Sequence, residues 1–178
     1  MAAYDIRIIG DPVLREVAHE VTDIDGALVR VAEGMVDAMY RADGLAVAAP
    51  QVGVRKRVVA YQLLDDPEPS VIVNPRIVEW GDEMWSYSEG CLSIPGIFWD
   101  LERPKQVHVV GLDLDGNEVS IEADELAARM YQHELDHLDG VLMVERLDED
   151  RRREARAAIR ELMLSRTEPA PRADSLLP

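Results

Sequence analysis

Two histidines four residues apart bracket a glutamate in the run Gln132-His133-Glu134-Leu135-Asp136-His137. On a helix this spacing stacks the imidazoles one turn apart, with a rise of about 6 Å between their Cα atoms, so both can reach one cation. Glu134 stands beside a ligand without belonging to the pair, the place of a proton carrier next to metal-activated water. A third ligand is then needed. The single cysteine, Cys91, cannot form an internal disulfide. Its setting, Glu89-Gly90-Cys91-Leu92-Ser93, has the glycine and polar residues of a site edge rather than the Val/Ile-rich pattern of a packed strand. Asp136 is the nearest competing carboxylate, but it lies about 100° around the helix from His137. It is better placed to bond a histidine's free N–H or to face the surface. The plain alternatives are two core histidines beside a coincidental glutamate, and a cysteine acting as a small buried hydrophobe.

The element that must carry the histidines is ELAARMYQHELDHL (125–138), opened by Asp124 as N-cap and closed by Gly140 at C′. Leu126, Met130, His133, Glu134 and His137 share one face of it, so the imidazoles continue a stripe that Leu126 and Met130 turn toward the core. Residues 27–42 read as an amphipathic helix through Leu28, Val31, Met35, Ala38 and Met39, stopped by Gly44. VRKRVVAYQL (54–63) and SVIVNPRIVEW (70–80) read as strands separated by DDPEP. QVHVVGLDLDGNEVSIEA (106–123) reads as a hairpin turning at Asp115-Gly116-Asn117. A last helix over about 148–164 is rich in Arg and Glu, with Ala155, Ile159 and Leu162–Leu164 as a narrow apolar stripe. Strands first and helices beside them predict an α+β fold. It is a single compact domain of mixed or antiparallel short strands around a buried central helix carrying HExxH, plus a C-terminal helix. The domain is expected over 1–166, with 167–178 a disordered tail.

A chain of 178 residues suits one such domain. No apolar stretch reaches the roughly 18–20 residues of a bilayer span, and the first residues lack a secretory pattern, so a cytoplasmic location without membrane contact is expected. The balance of 19 Lys+Arg against 35 Asp+Glu, net −16, argues against a surface that grips DNA. The charge is uneven. Residues 151–178 hold seven arginines against four acids, net +3, which leaves −19 over residues 1–150. That contrast marks the Arg-rich last helix as a candidate docking surface, or as a solvated helix paired with its own acids.

Three separated segments resemble the peptide deformylases, marked by GxGLAAxQ, EGCLS and QHExDH. Here they read Gly44-Leu45-Ala46-Val47-Ala48-Ala49-Pro50-Gln51, Glu89-Gly90-Cys91-Leu92-Ser93 and Gln132-His133-Glu134-Leu135-Asp136-His137. The second and third match at every fixed position, and the resemblance extends over about residues 4–164. It implies that Cys91, His133 and His137 bind one divalent metal and that Glu134 is the general acid/base. It further implies that Gln51 and the Leu92 backbone N–H hold a formyl oxygen, and that Leu45, Ala46, Val47, Gly90 and Arg103 meet substrate, with Asp43 paired to Arg103. The activity implied is removal of the formyl group from N-formylmethionyl nascent chains, which emerge beside ribosomal RNA and make the ribosome the candidate partner of the Arg-rich helix. Fe²⁺ is the implied metal; thiolate and imidazole also suit Zn²⁺, Ni²⁺ and Co²⁺.

The first motif departs at Ala46, in place of its second glycine, and at Val47, in place of leucine. Either a glycine-type backbone strains at Ala46, or an extended backbone accepts the methyl and narrows the groove. A specialised formylated substrate is therefore one alternative. An HExxH peptidase is another, though no histidine follows His137 to complete its ligands. The third is a non-catalytic metal module, which ordinarily uses four protein ligands.

Overall fold

The computed structural model describes residues 4–167. Helix α1 (Gly26–Arg41) begins where the Asp25 carboxylate accepts from the N–H groups of Ala27 and Leu28 at 3.0 and 2.9 Å. Its buried side is Leu28, Ala32, Met35, Ala38 and Met39. Strands β1 (Ala46–Ala48), β2 (Val58–Tyr61) and β3 (Ser70–Trp80) form an antiparallel sheet with the hairpin of β6 (Gln106–Leu112) and β7 (Glu118–Asp124), in the order β1-β2-β3-β6-β7. Between β3 and β6 the chain builds a separate two-stranded sheet, β4 (Met84–Cys91) with β5 (Ile94–Pro104).

Alternation along the strands gives the large sheet two buried faces. Val58, Ala60 and Val73 pack with α1, whereas Val59, Tyr61 and Ile72 pack with Met130, Tyr131 and Leu138 of helix α2 (Glu125–Leu138). Covered on both sides, β2 is an unbroken apolar run, each such side chain contributing about 1.5–3 kcal/mol on burial. Helix α2 touches strands of both sheets and is buried at every residue from Ala128 to Leu138. It is the buried central helix that the sequence predicts. Helix α3 (Glu149–Thr167) docks through Ala155 and Ile159 onto a third cluster with Ile94, Leu101 and Leu142. No described helix is long and apolar enough to cross a membrane.

Four expectations need adjustment. The strand expected over 54–63 shrinks to Val58–Tyr61, because Arg55-Lys56-Arg57 stay outside the ladder, Lys56 making only an isolated bridge to His19. Cys91 is the last residue of a strand as well as part of a site edge. β4 has no Val or Ile and instead presents a Trp85–Tyr87 stack, centroids 4.6 Å apart, which the β-branched rule does not detect. Leu126 is 43% exposed rather than buried in the core, because it faces an open cavity. The expected tail, 167–178, lies outside the described residues except Thr167, which ends α3.

Candidate active site

A cavity of about 620 Å³ opens between the two sheets, with α2 as its floor. One wall is Ala42–Ala46, running from the end of α1 into β1; the other is Ser88–Leu92 and Ile94–Phe98 of the β4–β5 hairpin. Each wall contains a strand with a single pairing partner, β1 at the edge of the large sheet and β4 in the two-stranded one. Leu126, Arg129, Met130, His133 and Glu134 rise from the floor.

At the inner end, His137 Nε2 lies 3.2 Å from Cys91 Sγ and 3.2 Å from His133 Nε2. The three donor atoms lie within 4.8 Å of one another. Four-coordinate geometry with ordinary metal–S and metal–N bonds needs roughly 3.6 Å between S and N and 3.3 Å between nitrogens, so this donor set fits a divalent ion. His133 Nδ1 bonds Glu89 Oε1 at 2.6 Å, which leaves Nε2 free to ligate. Burial alone would raise the Cys91 thiol, but the two imidazoles hold it well below its ordinary range, favouring the thiolate. Burial pushes the Glu134 carboxyl up, against the pull of both histidines, and its Oε2 is buried with no hydrogen-bond partner.

Gln51 is oriented by the backbone three residues before it. The Ala48 N–H donates to Gln51 Oε1 at 2.8 Å, which turns the amide nitrogen toward Ser93 Oγ at 3.2 Å and Cys91 Sγ at 3.8 Å. Leu45, Ala46, Gly90 and Leu92 line the same cavity. Ala46 is in extended backbone paired with Tyr61, so its methyl adds to the wall without strain. A Cβ at Gly90 would sit 2.5 Å from the Phe98 ring, so a larger residue there would displace that exposed side chain.

Val47 and Arg103 do not reach the cavity. Strand alternation turns Val47 to the opposite face of β1, into the α1 cluster, where it is fully buried. Arg103 is buried, paired with carboxylates next to the Cys91/His133/His137 cluster. It donates to both oxygens of Glu89 at 2.9 and 2.7 Å and to Asp136 at 2.9 Å, and it makes no pair with Asp43. Asp136 accordingly bonds Arg103 and Arg146 rather than a histidine or the surface. The residue missed in the sequence is Glu89, which also accepts from Arg129 Nη1 at 3.0 Å. Burial would raise its carboxyl, but His133 and Arg103 hold it far below the usual range. The available signal was an acid inside the Cys91 segment with no assigned role.

The model of the family described as polypeptide deformylase matches residues 3–153. The peptide deformylase of Parafrankia sp. (strain EAN1pec) is 44% identical over 171 residues, covering 96% of this chain and 92% of that protein. The crystal structure of peptide deformylase from Thermotoga maritima superposes with a TM-score of 0.79 at 41% identity, covering 83% of this chain and 99% of that one. The one from Legionella pneumophila gives 0.87 at 36% identity, covering 94% and 100%. A buried Cys/His/His donor set beside an unpartnered glutamate, in this fold and with these relatives, leads to one conclusion: the chain belongs to the polypeptide deformylase family.

Proposed function

We propose that the cavity hydrolyses the formamide bond of N-formylmethionyl peptides, nascent chains among them, releasing formate and a free amino terminus. The observation that carries this reading is the convergence of Cys91 Sγ and the two histidine Nε2 atoms beside a buried carboxylate that has an unsatisfied oxygen facing no protein partner. Cys91, His133 and His137 would hold one divalent metal. When bound, the metal supplies Lewis acidity and an acidified water. Glu134 accepts the water proton as the new C–O bond forms and delivers it to the amine nitrogen as the C–N bond breaks. The Gln51 amide N–H and the Leu92 backbone N–H donate to the formyl oxygen as it gains charge. Between the free edges of β1 and β4, an extended peptide can add as a strand, with Leu45, Ala46 and Gly90 along its path.

Three ligands with an adjacent glutamate favour this over a structural four-ligand site, and Cys91 takes the third-ligand place that an HExxH peptidase fills from downstream. The donor set suits Fe²⁺, Zn²⁺, Ni²⁺ and Co²⁺, and Fe²⁺ is our choice on the family resemblance. Release of a free amino terminus from formyl-Met-Ala, and not from acetyl-Met-Ala, by anaerobically purified protein of measured metal content tests the activity and the metal. Release from neither peptide at full metal loading overturns the reading. The Ala46 methyl in the wall favours a narrower groove, and bulkier formylated first residues in the same assay measure it.

As a ligand, Cys91 should resist iodoacetamide in metal-loaded protein and label after chelation, with a fall in thermal midpoint. Equal labelling in both states removes Cys91 from the ligand set.

Ribosome association in the cytoplasm is the partner reading, and the structure alters which arginines could serve it. Arg151 bonds the Asp100 carbonyl, Arg152 the carbonyls of Glu145 and Leu147, and Arg153 pairs with Asp150. Arg156 and Arg160 remain exposed on α3. Charge reversal at Arg156 and Arg160 should weaken low-salt co-sedimentation with ribosomes while formyl-Met-Ala turnover holds. Equal co-sedimentation of both proteins would leave α3 a structural helix.

A further inference from the structure

We infer that a second cavity, about 420 Å³ in volume and lying between β3 and α2, binds a free nucleoside monophosphate. It uses Gln132, Leu135, Asp136 and Asp139 of the helix, none of which lines the active-site cavity, and its size falls in the range of small-ligand sites.

The bay exists because a pairing ends. β2 pairs with β3 from Ser70 to Val73, so the second half of β3 keeps β6 as its partner and leaves its other edge uncovered. Arg76 and Trp80 line the bay from that half of β3, and Glu102 lines it from β5. These three side chains have no partner. Arg76 and Glu102 are exposed and make no ion pair or side-chain hydrogen bond among the described residues, and the Trp80 indole, 55% exposed, makes no ring contact. The other charges are already engaged: Arg57 bonds Asp139 at 2.6 Å, and both Arg103 and Arg146 bond Asp136. Those pairs fix the walls, and the unpaired groups are left for a ligand.

Each of the three calls for a different counterpart. A guanidinium with all its N–H donors unengaged suits a phosphate, an exposed indole face suits a flat base, and a lone carboxylate accepts from ribose hydroxyls or an exocyclic amine. A nucleoside phosphate carries all three in one molecule. Charge then selects its form. Four arginines face three acids in the bay, an excess of one cation, which matches one phosphate rather than three. Glu79, Glu122 and Asp124 line the neighbouring cavity on which Trp80 also borders, so an anion is repelled from that side. The net charge of −16 opposes a long polyanion, which favours a free nucleotide over an RNA strand.

The test is calorimetric titration of the full chain, at low salt and known metal content, with AMP, GMP, CMP, UMP, adenosine, inorganic phosphate and single-stranded hexa-adenylate. The best mononucleotide should bind roughly tenfold tighter than adenosine or phosphate, which each carry part of its chemistry. Arg76→Gln and Trp80→Leu should each weaken it about fivefold or more, and Trp80→Phe, which keeps a ring, should retain most of the affinity. All three positions of substitution are on the surface, so urea midpoints should match wild type. Absence of saturable binding below about 10 mM for all four mononucleotides, or an affinity that Arg76→Gln or Trp80→Leu leaves unchanged, overturns the inference. Hexa-adenylate binding more than about tenfold tighter than AMP overturns the free nucleotide as occupant and gives the bay to RNA.

Discussion

Replacing Glu134 by glutamine should leave metal content at the wild-type level while lowering kcat by about 10²–10⁴, a change of roughly 2.7–5.5 kcal/mol in the barrier. The amide has nearly the volume of the carboxylate, so the buried site beside His133 and His137 keeps its packing. What it loses is the ability to take a proton. The unpartnered Oε2 of Glu134 is a buried acceptor that no protein group satisfies, an arrangement that leaves it free for water and for the leaving nitrogen. Because the proton moves only as bonds are made and broken, kcat and kcat/KM should fall together with KM little changed. Retention of more than a tenth of wild-type kcat, with metal bound, would remove Glu134 from the proton path.

How much of this site could be read from the sequence follows from how locally each part is encoded. The His133–His137 pair and Glu134 sit on one helical turn, and periodicity alone places them together. Cys91 and Gln51 come from other elements, and only the order of three motifs tied them to the helix. Val47 and Arg103 show where motif reading runs out. A motif lists neighbours in sequence, but strand alternation sends Val47 to the far face of β1, and Arg103 turns inward to carboxylates on two other elements. Of the large sheet, β2, β3 and the β6–β7 hairpin were readable from their β-branched runs, β3 to the residue, whereas β1, three small residues from Ala46 to Ala48, carried no such signal. β4 and β5 were not readable either, since β4 carries Trp85, Tyr87 and serines where a β-branched run would have marked a strand, and its aromatic stack lies within that one strand. Glu89 escaped for a related reason: a buried acid is recognisable only once the cations that surround it are in place.

Those cations give the second large effect. Glu89→Gln should lower the free energy of unfolding by about 3–5 kcal/mol, a large part of the roughly 5–15 kcal/mol of an ordinary domain. Glu89 is 5% exposed and accepts from Arg103, Arg129 and His133. Arg103 keeps Asp136, but Arg129 keeps only the Trp85 carbonyl and the faces of Trp85 and Tyr87, with its Nε already buried and unpaired. The glutamine's own NH₂ would face one of these donors. His133 would lose the acceptor that fixes its ring, so metal affinity should fall by roughly 10–100-fold as well. A lower urea midpoint and lower metal retention on dialysis are the readouts. Glu89→Gln combined with Arg129→Met removes both members of a buried pair rather than one, and should recover part of the lost stability although it changes two residues. Arg146→Gln, at the half-exposed end of the same chain of charges, should cost no more than about 1 kcal/mol. A single Glu89→Gln variant with the wild-type urea midpoint, or a double variant less stable than the single, would show that the Glu89 charge is not what holds these arginines and His133 in place.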